Sequence, residues 1–450
     1  MIKEKQSADD FRAALETIGA ETVHIGLPDV EAELRHKSVS ADKAVKLAQS
    51  GYAFCEVVHY WTIDEKQFVE TAFPDRPAQL HADTLRKYPF EDRAAFCIAD
   101  FTGAFGAKSP RNLLLTQLAE AGRLGFTVQS AFEFEFNLFD ETRAEMKANG
   151  YRNPRHFAPE NRTYSLQTAA VHAELIDGLR KTMAALDVPL DAIHSEMGPG
   201  FFEAPLTYTT GVRAADNAVL FKNFARAYFA RKGLVAGFMA KVSQALPGNS
   251  GHMHLSLRDR DGRPAFADPD DPQGISETCR HFIGGVNRLM PELLLMCSHT
   301  VNAYKRLVPG TWAPVMPSWG VQNRTAALRV INDSPEATRV EFRVPSADSN
   351  PYTTLAMCLA AGLHGIRERI DPGPAAEGSV YDLPYVAEKA LPRDLGEAVE
   401  RFAASEAAHF LFGSDFVEMY AAIRRKEFQD YCGYLREISP WEIERYLGIV

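Results

Sequence analysis

Residues 131–139 read Ala131-Phe132-Glu133-Phe134-Glu135-Phe136-Asn137-Leu138-Phe139. Apolar and polar side chains alternate without a break, the period of a β-strand with one dry face and one polar face. Phe132, Phe134, Phe136 and Leu138 share the dry face, and Glu133 and Glu135 stand side by side on the other. A half-solvated strand with an acidic outer face would read the same way, so this stretch gains meaning only beside others like it.

Three such stretches follow. In Gly251-His252-Met253-His254-Leu255-Ser256-Leu257, the residues His252, His254 and Ser256 fall on one face, opposite Met253, Leu255 and Leu257. In Arg339-Val340-Glu341-Phe342-Arg343-Val344, Arg339, Glu341 and Arg343 oppose Val340, Phe342 and Val344. The segment His194-Ser-Glu196-Met-Gly-Pro-Gly-Phe-Phe-Glu203 turns at Gly-Pro-Gly and brings two acids near one another. Taken singly, these are packing histidines, an ion-pair ladder and an acidic loop. Taken together, they predict one curved sheet whose concave face is a polar cavity. Acids and imidazoles converging there are costly to desolvate unless they hold cations. Carboxylates with a single histidine per ion suit Mg²⁺ or Mn²⁺ better than zinc.

The bulk properties narrow the field. The chain has 450 residues, 46% of them hydrophobic, and a formal charge of −10, enough for more than one compact domain. The acidic balance and the absence of a Lys/Arg-rich run argue against a nucleic-acid-coating protein or a polybasic membrane binder. Cys55, Cys97, Cys279, Cys297, Cys358 and Cys432 lie far apart with no C-x-x-C pair, so reduced thiols are expected rather than a disulfide framework or thiolate zinc site. The first 20 residues lack the apolar core of a signal peptide, and no apolar run reaches the roughly 18 residues of a membrane span. A soluble, cytoplasmic protein is expected.

Along the chain, residues 8–20 read as a helix, and Val23 to Val58 mixes short apolar runs with turns in a small α+β unit. Gly103 to Pro110 reads as a linker and Asn112 to Leu124 as an amphipathic helix. Strands and helices then interleave to about residue 370, with Arg258 to Gln273 a loop and Leu395 to Ala407 and Asp415 to Glu437 helical. The class is α+β, divided into 1–107 and 108–450.

These segments, in this order, resemble the catalytic domain of the glutamine synthetase superfamily. The likeness extends through Gly248-Asn-Ser-Gly251, Asn302-Ala-Tyr-Lys-Arg306, Asn323-Arg324-Thr-Ala-Ala-Leu-Arg329, Asn350-Pro-Tyr352, Tyr381-Asp-Leu-Pro384 and Ser439-Pro-Trp441-Glu442. It covers about residues 110–450 and is weaker before them, where Gly51-Tyr-Ala-Phe54 looks like a remnant of a β-grasp-like N-terminal domain. The resemblance implies a large catalytic domain with a curved antiparallel sheet flanked by helices. It also implies an ATP-dependent ligase that activates the glutamate side chain as a γ-glutamyl phosphate, using two or three Mg²⁺ or Mn²⁺ ions per site. By that likeness Glu135, Glu196 and Glu203 would hold one ion, and Glu133, His252 and Glu341 a second. Arg306 and Arg343 would hold the glutamate carboxylate and the transferring phosphoryl group, Arg324 and Arg329 the phosphates. His254 and Ser256 would lie beside the nucleotide, and Gly248 to Gly251 beside the amino acid. A ring, typically a dodecamer, with sites completed by the neighbouring subunit is implied as well, and the C-terminal helices are candidate contacts between rings. Tyr381 stands where some bacterial relatives are adenylylated.

The chain departs from the ammonia-using members near the nucleophile site. The flap reads Pro309-Gly-Thr-Trp312-Ala-Pro314, with Trp312 where those enzymes carry glutamate. The Phe-Asp-Gly-Ser-Ser element is missing, its nearest text being Phe54-Cys-Glu-Val-Val58, and Phe201 stands where many relatives have glutamine. These losses of polarity predict a primary amine with an apolar or aromatic body as second substrate, and a γ-glutamyl amide as product. Glu56, His59 and Asp64 are candidates for deprotonating the amine. The alternatives are an ammonia-using glutamine synthetase, a non-catalytic structural or nitrogen-sensing relative, and a guanidino kinase-like phosphotransferase.

Overall fold

A computed structural model describes residues 8–382, 386 and 390–449. Leu383 and Pro384, which end the Tyr381 motif, lie outside the described residues. The fold is α+β, as expected, and among the described residues the strands form sheets of five and nine strands.

The five-stranded sheet has the order Leu34–Ser40, Thr22–Pro28, Ala94–Phe101, Asp75–Lys87, Tyr52–Cys55. Thr22–Pro28 and Ala94–Phe101 run parallel at its centre, and the outer pairs are antiparallel. Helices Ala8–Ile18 and Ala41–Ser50 bury Phe11, Leu15, Val45 and Leu47 against one face, over Val23, Ile25 and Leu80. The first helix stops two residues before its expected end because Gly19 takes a left-handed φ of 71°.

The expected linker 103–110 holds a helical turn, Gly103–Gly106, before the helix Pro110–Arg123. Arg111 ties the two parts of the chain together. Its Nη1 donates to Asp100 Oδ2 at 3.0 Å, while Nε and Nη2 clamp Asp216 at 2.7 and 2.9 Å. Tyr352 Oη donates to Asp216 at 2.8 Å, and Ser109 Oγ and His81 Nε2 lie 2.9 and 3.2 Å from the Asp100 carboxylate.

The larger sheet runs Trp319–Val321, Leu328–Ile331, Arg339–Phe342, Gly251–Arg258, Thr127–Phe139, Phe201–Pro205, His194–Ser195. It curls into a half-barrel. Its pairs are antiparallel except at one edge, where Trp319–Val321 lies parallel to Leu328–Ile331. The dry face of Thr127–Phe139 packs on helix Arg213–Arg231, with Phe134 stacked on Phe221 at 6.0 Å and Phe136 against Phe229 at 5.9 Å. Helices Glu277–Leu293 and Pro351–Glu368 cross behind, touching through glycines: a Cβ on Gly285 would sit 2.1 Å from Ala361 O. The loop after Arg258 is anchored by Phe266, fully buried against Phe282. At the C-terminal end, the first expected helix divides at Ser405, whose side chain caps Glu406–Phe412, and a long helix follows at Ser414–Leu435. No described helix is long and apolar enough to cross a membrane.

Replacing Arg111 with methionine would leave Asp216 buried without a cationic partner and Asp100 with only His81, 3.2 Å away. The expected loss is about 3–5 kcal/mol of unfolding free energy, with Arg111→Lys recovering only part of it for want of the two-pronged fork. Urea unfolding tests this, and an Arg111→Met protein within about 1 kcal/mol of wild type would contradict the account.

Candidate active site

Strand register builds the site. Glu133 pairs with His252, and Glu135 with Glu203. His254 pairs with Glu341, Glu341 with Arg329, and His194 with Glu203. The polar residues of each alternating segment therefore meet on the concave face, around a cavity of about 610 Å³. It is lined by Glu133, Glu135, Glu196, Glu203, His252, His254 and Glu341, by Arg306, Arg324, Arg329, Arg339 and Arg343, and by Gly248, Phe201 and Trp312.

Two groups of donors stand out. On one side His252 Nδ1 lies 2.7 Å from Glu133 Oε1 and 3.4 Å from Glu341 Oε1, and His254 Nε2 lies 3.3 Å from Glu133 Oε2. Glu133, His254 and Glu341 can bring one donor atom each within 4.8 Å of the others. On the other side His194 Nδ1 is 3.5 Å from Glu196 and its Nε2 3.7 Å from Glu203, and these three form a second such group. Glu135 stands outside both groups, its Oε2 accepting the backbone N–H of Ser250.

The charges are unevenly met. Burial works against ionisation of Glu133, but hydrogen bonds from His252 and His254 outweigh it and hold the carboxyl well below the usual range. Glu341 is likewise lowered, burial being overcome by His252 and Arg343, which donates to it directly. Glu203 is the opposite case. Burial, then the fields of Glu133, Glu135, Glu196 and Glu341, push it up to about 9. Burial also raises Glu135, to about 6, and Glu196. Among the described residues no arginine or lysine forms an ion pair with Glu135, Glu196 or Glu203. Buried His252 Nε2 and His194 Nδ1 have no hydrogen-bond partner. Hard oxygen donors lacking a counter-charge, with free imidazole nitrogens among them, fit a divalent cation of the Mg²⁺ or Mn²⁺ kind.

The remaining expected residues fall as follows. Arg306 is buried, with Nη1 donating to Val344 O at 2.9 Å. Arg324 is exposed at the rim, and Arg329 reaches Glu341 Oε2 at 3.1 Å. Ser256 lies not in this cavity but in an adjoining one of about 480 Å³, which shares Glu133, His254 and Arg339 with it. Gly248 lines the cavity, and a Cβ there would meet Arg306 Cγ at 2.9 Å. Gly251 does not line it. Its Cα faces the Ser346 carbonyl, which a Cβ would approach to 2.6 Å, so close backbone packing explains this glycine. Trp312 is 60% exposed and holds a left-handed φ of 60°.

None of the three residues considered for amine deprotonation lines the cavity of its own chain. Glu56 is buried and accepts from Arg76 Nε at 2.6 Å, and His59 is enclosed by Phe101 and Phe105, burial lowering its pKa to about 4. Asp64 is at the surface, 2.7 Å from Lys66 Nζ. His194, Tyr164 and Met197 line the cavity unanticipated. Of these, only His194 left a sequence signal, its i, i+2 spacing from Glu196.

Residues 107–446 match the family model of the glutamine synthetase catalytic domain. The chain belongs to the glutamine synthetase superfamily, whose members use ATP and divalent metals to form γ-glutamyl products. It is 32% identical over 450 residues to a glutamate–isopropylamine ligase of a Pseudomonas species, covering 98% of this chain and 97% of that one. It is 30% identical over 448 residues to the gamma-glutamylethanolamide synthetase GlnA4 of Streptomyces coelicolor, with 97% and 95% covered. Type-1 glutamine synthetase 2 of Dictyostelium discoideum is 33% identical over 442 residues, with 95% and 84% covered. The solved structure of GmaS with ADP superposes with a TM-score of 0.85 at 27% identity, covering 97% of this chain and 99% of that one. The relatives include amine-using ligases and glutamine synthetases, so the reaction class is glutamate–amine or glutamate–ammonia ligation.

With Glu203 raised to about 9, its carboxyl is protonated at neutral pH and must ionise to take a metal. Mg²⁺ binding is therefore expected to release close to one proton and to tighten by up to about tenfold per pH unit below that value. Calorimetry in buffers of different ionisation enthalpy measures the release. Glu203→Gln should abolish it, and equal release by wild type and variant would refute the assignment.

Proposed function

We propose that this protein joins the γ-carboxylate of glutamate to a primary amine with an apolar or aromatic body, using ATP. The observation that carries the amine reading is the cavity lining, in which Trp312, Met197, Phe201 and Tyr164 share one cavity with Glu196 and Glu203. An ammonium ion has no apolar surface to bury against these side chains, whereas an alkyl or aryl group buried there leaves water. The amine-using relatives support the same reading.

In this proposal Glu135, Glu196 and Glu203, with His194 beside them, hold one divalent ion, and Glu133, His252 and Glu341 hold the second. The ions, when bound, neutralise the phosphates and draw charge from the oxygens that react. Arg306 holds the glutamate carboxylate. Arg343, fixed against Glu341, and Arg329 face the transferring phosphoryl group, while Arg324 closes over it from the rim. One oxygen of the glutamate γ-carboxylate displaces ADP from the γ-phosphorus of ATP. The amine nitrogen then attacks the acyl carbon, the phosphate leaves with that oxygen, and the nitrogen loses a proton. Positioning and charge neutralisation carry such a transfer. Trp312, on the flap, excludes water from the acyl phosphate. Of the three candidate bases only Asp64 is at the surface, so in a ring it is the one a neighbouring subunit presents. The ring we propose is a dodecamer, with a solution mass of about twelve chains.

Phosphate release with glutamate, ATP and Mg²⁺ tests the reading against isopropylamine, ethanolamine, benzylamine, putrescine and ammonium. At least one monoamine should exceed ammonium in kcat/KM by roughly tenfold or more. Trp312→Glu should narrow or reverse that ratio. Faster turnover with ammonium than with every organic amine would return the protein to the ammonia-using class.

A further inference from the structure

Arg306 sits at the end of a helix of four residues, Ala303–Arg306. So short a helix cannot hold its own direction, because nucleation is unfavourable and too few internal bonds follow. Its support must come from outside. The residue at its N-cap, Asn302, makes no cap bond. Its side chain is instead spent on Lys241, with Oδ1 accepting from the backbone N at 2.7 Å and Nδ2 donating to the backbone O at 3.0 Å. The cap is supplied by Thr300, whose Oγ1 accepts the N–H of Ala303 at 3.0 Å. The same hydroxyl donates to Asp348 Oδ2 at 2.6 Å.

A hydroxyl has one proton and can rotate, so by itself it is an indifferent cap. Asp348 fixes the proton on its own side and leaves a lone pair facing Ala303. Asp348 is held in turn by its place in the chain: Lys222 Nζ donates to Ser349 O at 2.8 Å. None of Thr300, Asn302 and Asp348 lines the active-site cavity; all three border a separate one of about 890 Å³ between the N-terminal sheet and the catalytic unit. Thr300 reaches that cavity through the helix that carries Arg306.

We infer that Asp348 and Thr300 are positioning residues for glutamate: the carboxylate orients the Thr300 hydroxyl, the hydroxyl caps the helix Ala303–Arg306, and the cap aims the Arg306 guanidinium. The inference rests on the reading of Arg306 as a glutamate-binding arginine. It predicts that damage to the pair weakens glutamate selectively. Nucleotide binding, assigned by the family resemblance to His254, Ser256, Arg324 and Arg329, is left alone.

The test compares Thr300→Val, Thr300→Ser and Asp348→Ala. KM for glutamate should rise on the order of tenfold in Thr300→Val and Asp348→Ala, the loss of about one oriented hydrogen bond. The dissociation constant for ADP should stay within about twofold, and Thr300→Ser, which keeps the hydroxyl, should restore the glutamate KM. An unchanged KM, a parallel loss of ADP affinity, or a serine variant as poor as the valine variant would overturn the inference. If Thr300→Val does not fold, Asp348→Leu serves: it roughly keeps the volume and leaves no acceptor for the Thr300 hydroxyl, and a wild-type glutamate KM in it overturns the inference equally. Failure of the functional reading looks different, since wild type would then show no glutamate-dependent phosphate release with any amine. Glutamate binding by calorimetry would still compare the variants.

Discussion

Glu135 and Glu203 face each other across two hydrogen-bonded strands, and burial, reinforced by Glu133, Glu135 and Glu196, raises the pKa of Glu203 to about 9. Acids crowded into a protein interior are a standing cost, whether as like charges or as a carboxyl held protonated, and among the described residues no guanidinium forms an ion pair with Glu135, Glu196 or Glu203. A divalent cation relieves it directly. The pairing register, the curl of the sheet and the need for metal are thus one constraint seen at three scales. Slipping any of these strands by one residue would turn its acids into the phenylalanine layer and its phenylalanines into the cavity. Both errors are expensive, so the register is strongly specified by the same residues that make the site.

The layer behind the sheet gives that register something to hold against. Phe132, Phe134 and Phe136 are buried on helix Arg213–Arg231, and the glycine-mediated crossing of Glu277–Leu293 with Pro351–Glu368 fills the space beyond. Arg111 joins this body to the N-terminal sheet through two buried acids. Close packing of this kind keeps carboxylates at fixed separations even though they repel. A looser core would let the sheet flatten and the charges part, and the cation site would weaken with it.

Much of the site was legible because strand alternation is a strong code. Glu133, Glu135, His252, His254, Glu341 and Arg343 could be assigned to polar faces from their i, i+2 spacing alone, and the structure brings these faces together. What the spacing could not reveal was which strand neighbours which. The pairing of His254 with Glu341, the grouping of His194 with Glu196 and Glu203, and the parallel edge at Trp319–Val321 are tertiary facts. Glu56 and His59 show the limit from the other direction. Nearness in sequence to a missing motif suggested a role, but burial against Arg76, Phe101 and Phe105 decides where they sit. Gly251 shows it too, because a glycine required by a carbonyl behind it looks in sequence like one required by a ligand in front of it.

The flap carries the question of which nitrogen nucleophile is used, and its physics can be taken one step further. Trp312 holds a left-handed backbone conformation while more than half exposed. That conformation costs of order 1 kcal/mol or more for a residue with a Cβ. An occupant that buries the indole offsets it: covering about 100 Å² of apolar surface is worth roughly 2.5 kcal/mol. Ammonium has no apolar surface to offer, and without an anionic lid residue it gains no compensating charge pair from the flap. An amine with an alkyl or aryl body supplies the missing area at the point where the strain is held. In the proposed reaction its binding would stabilise the flap over the acyl phosphate when the nucleophile is present, which is when closure against water is needed.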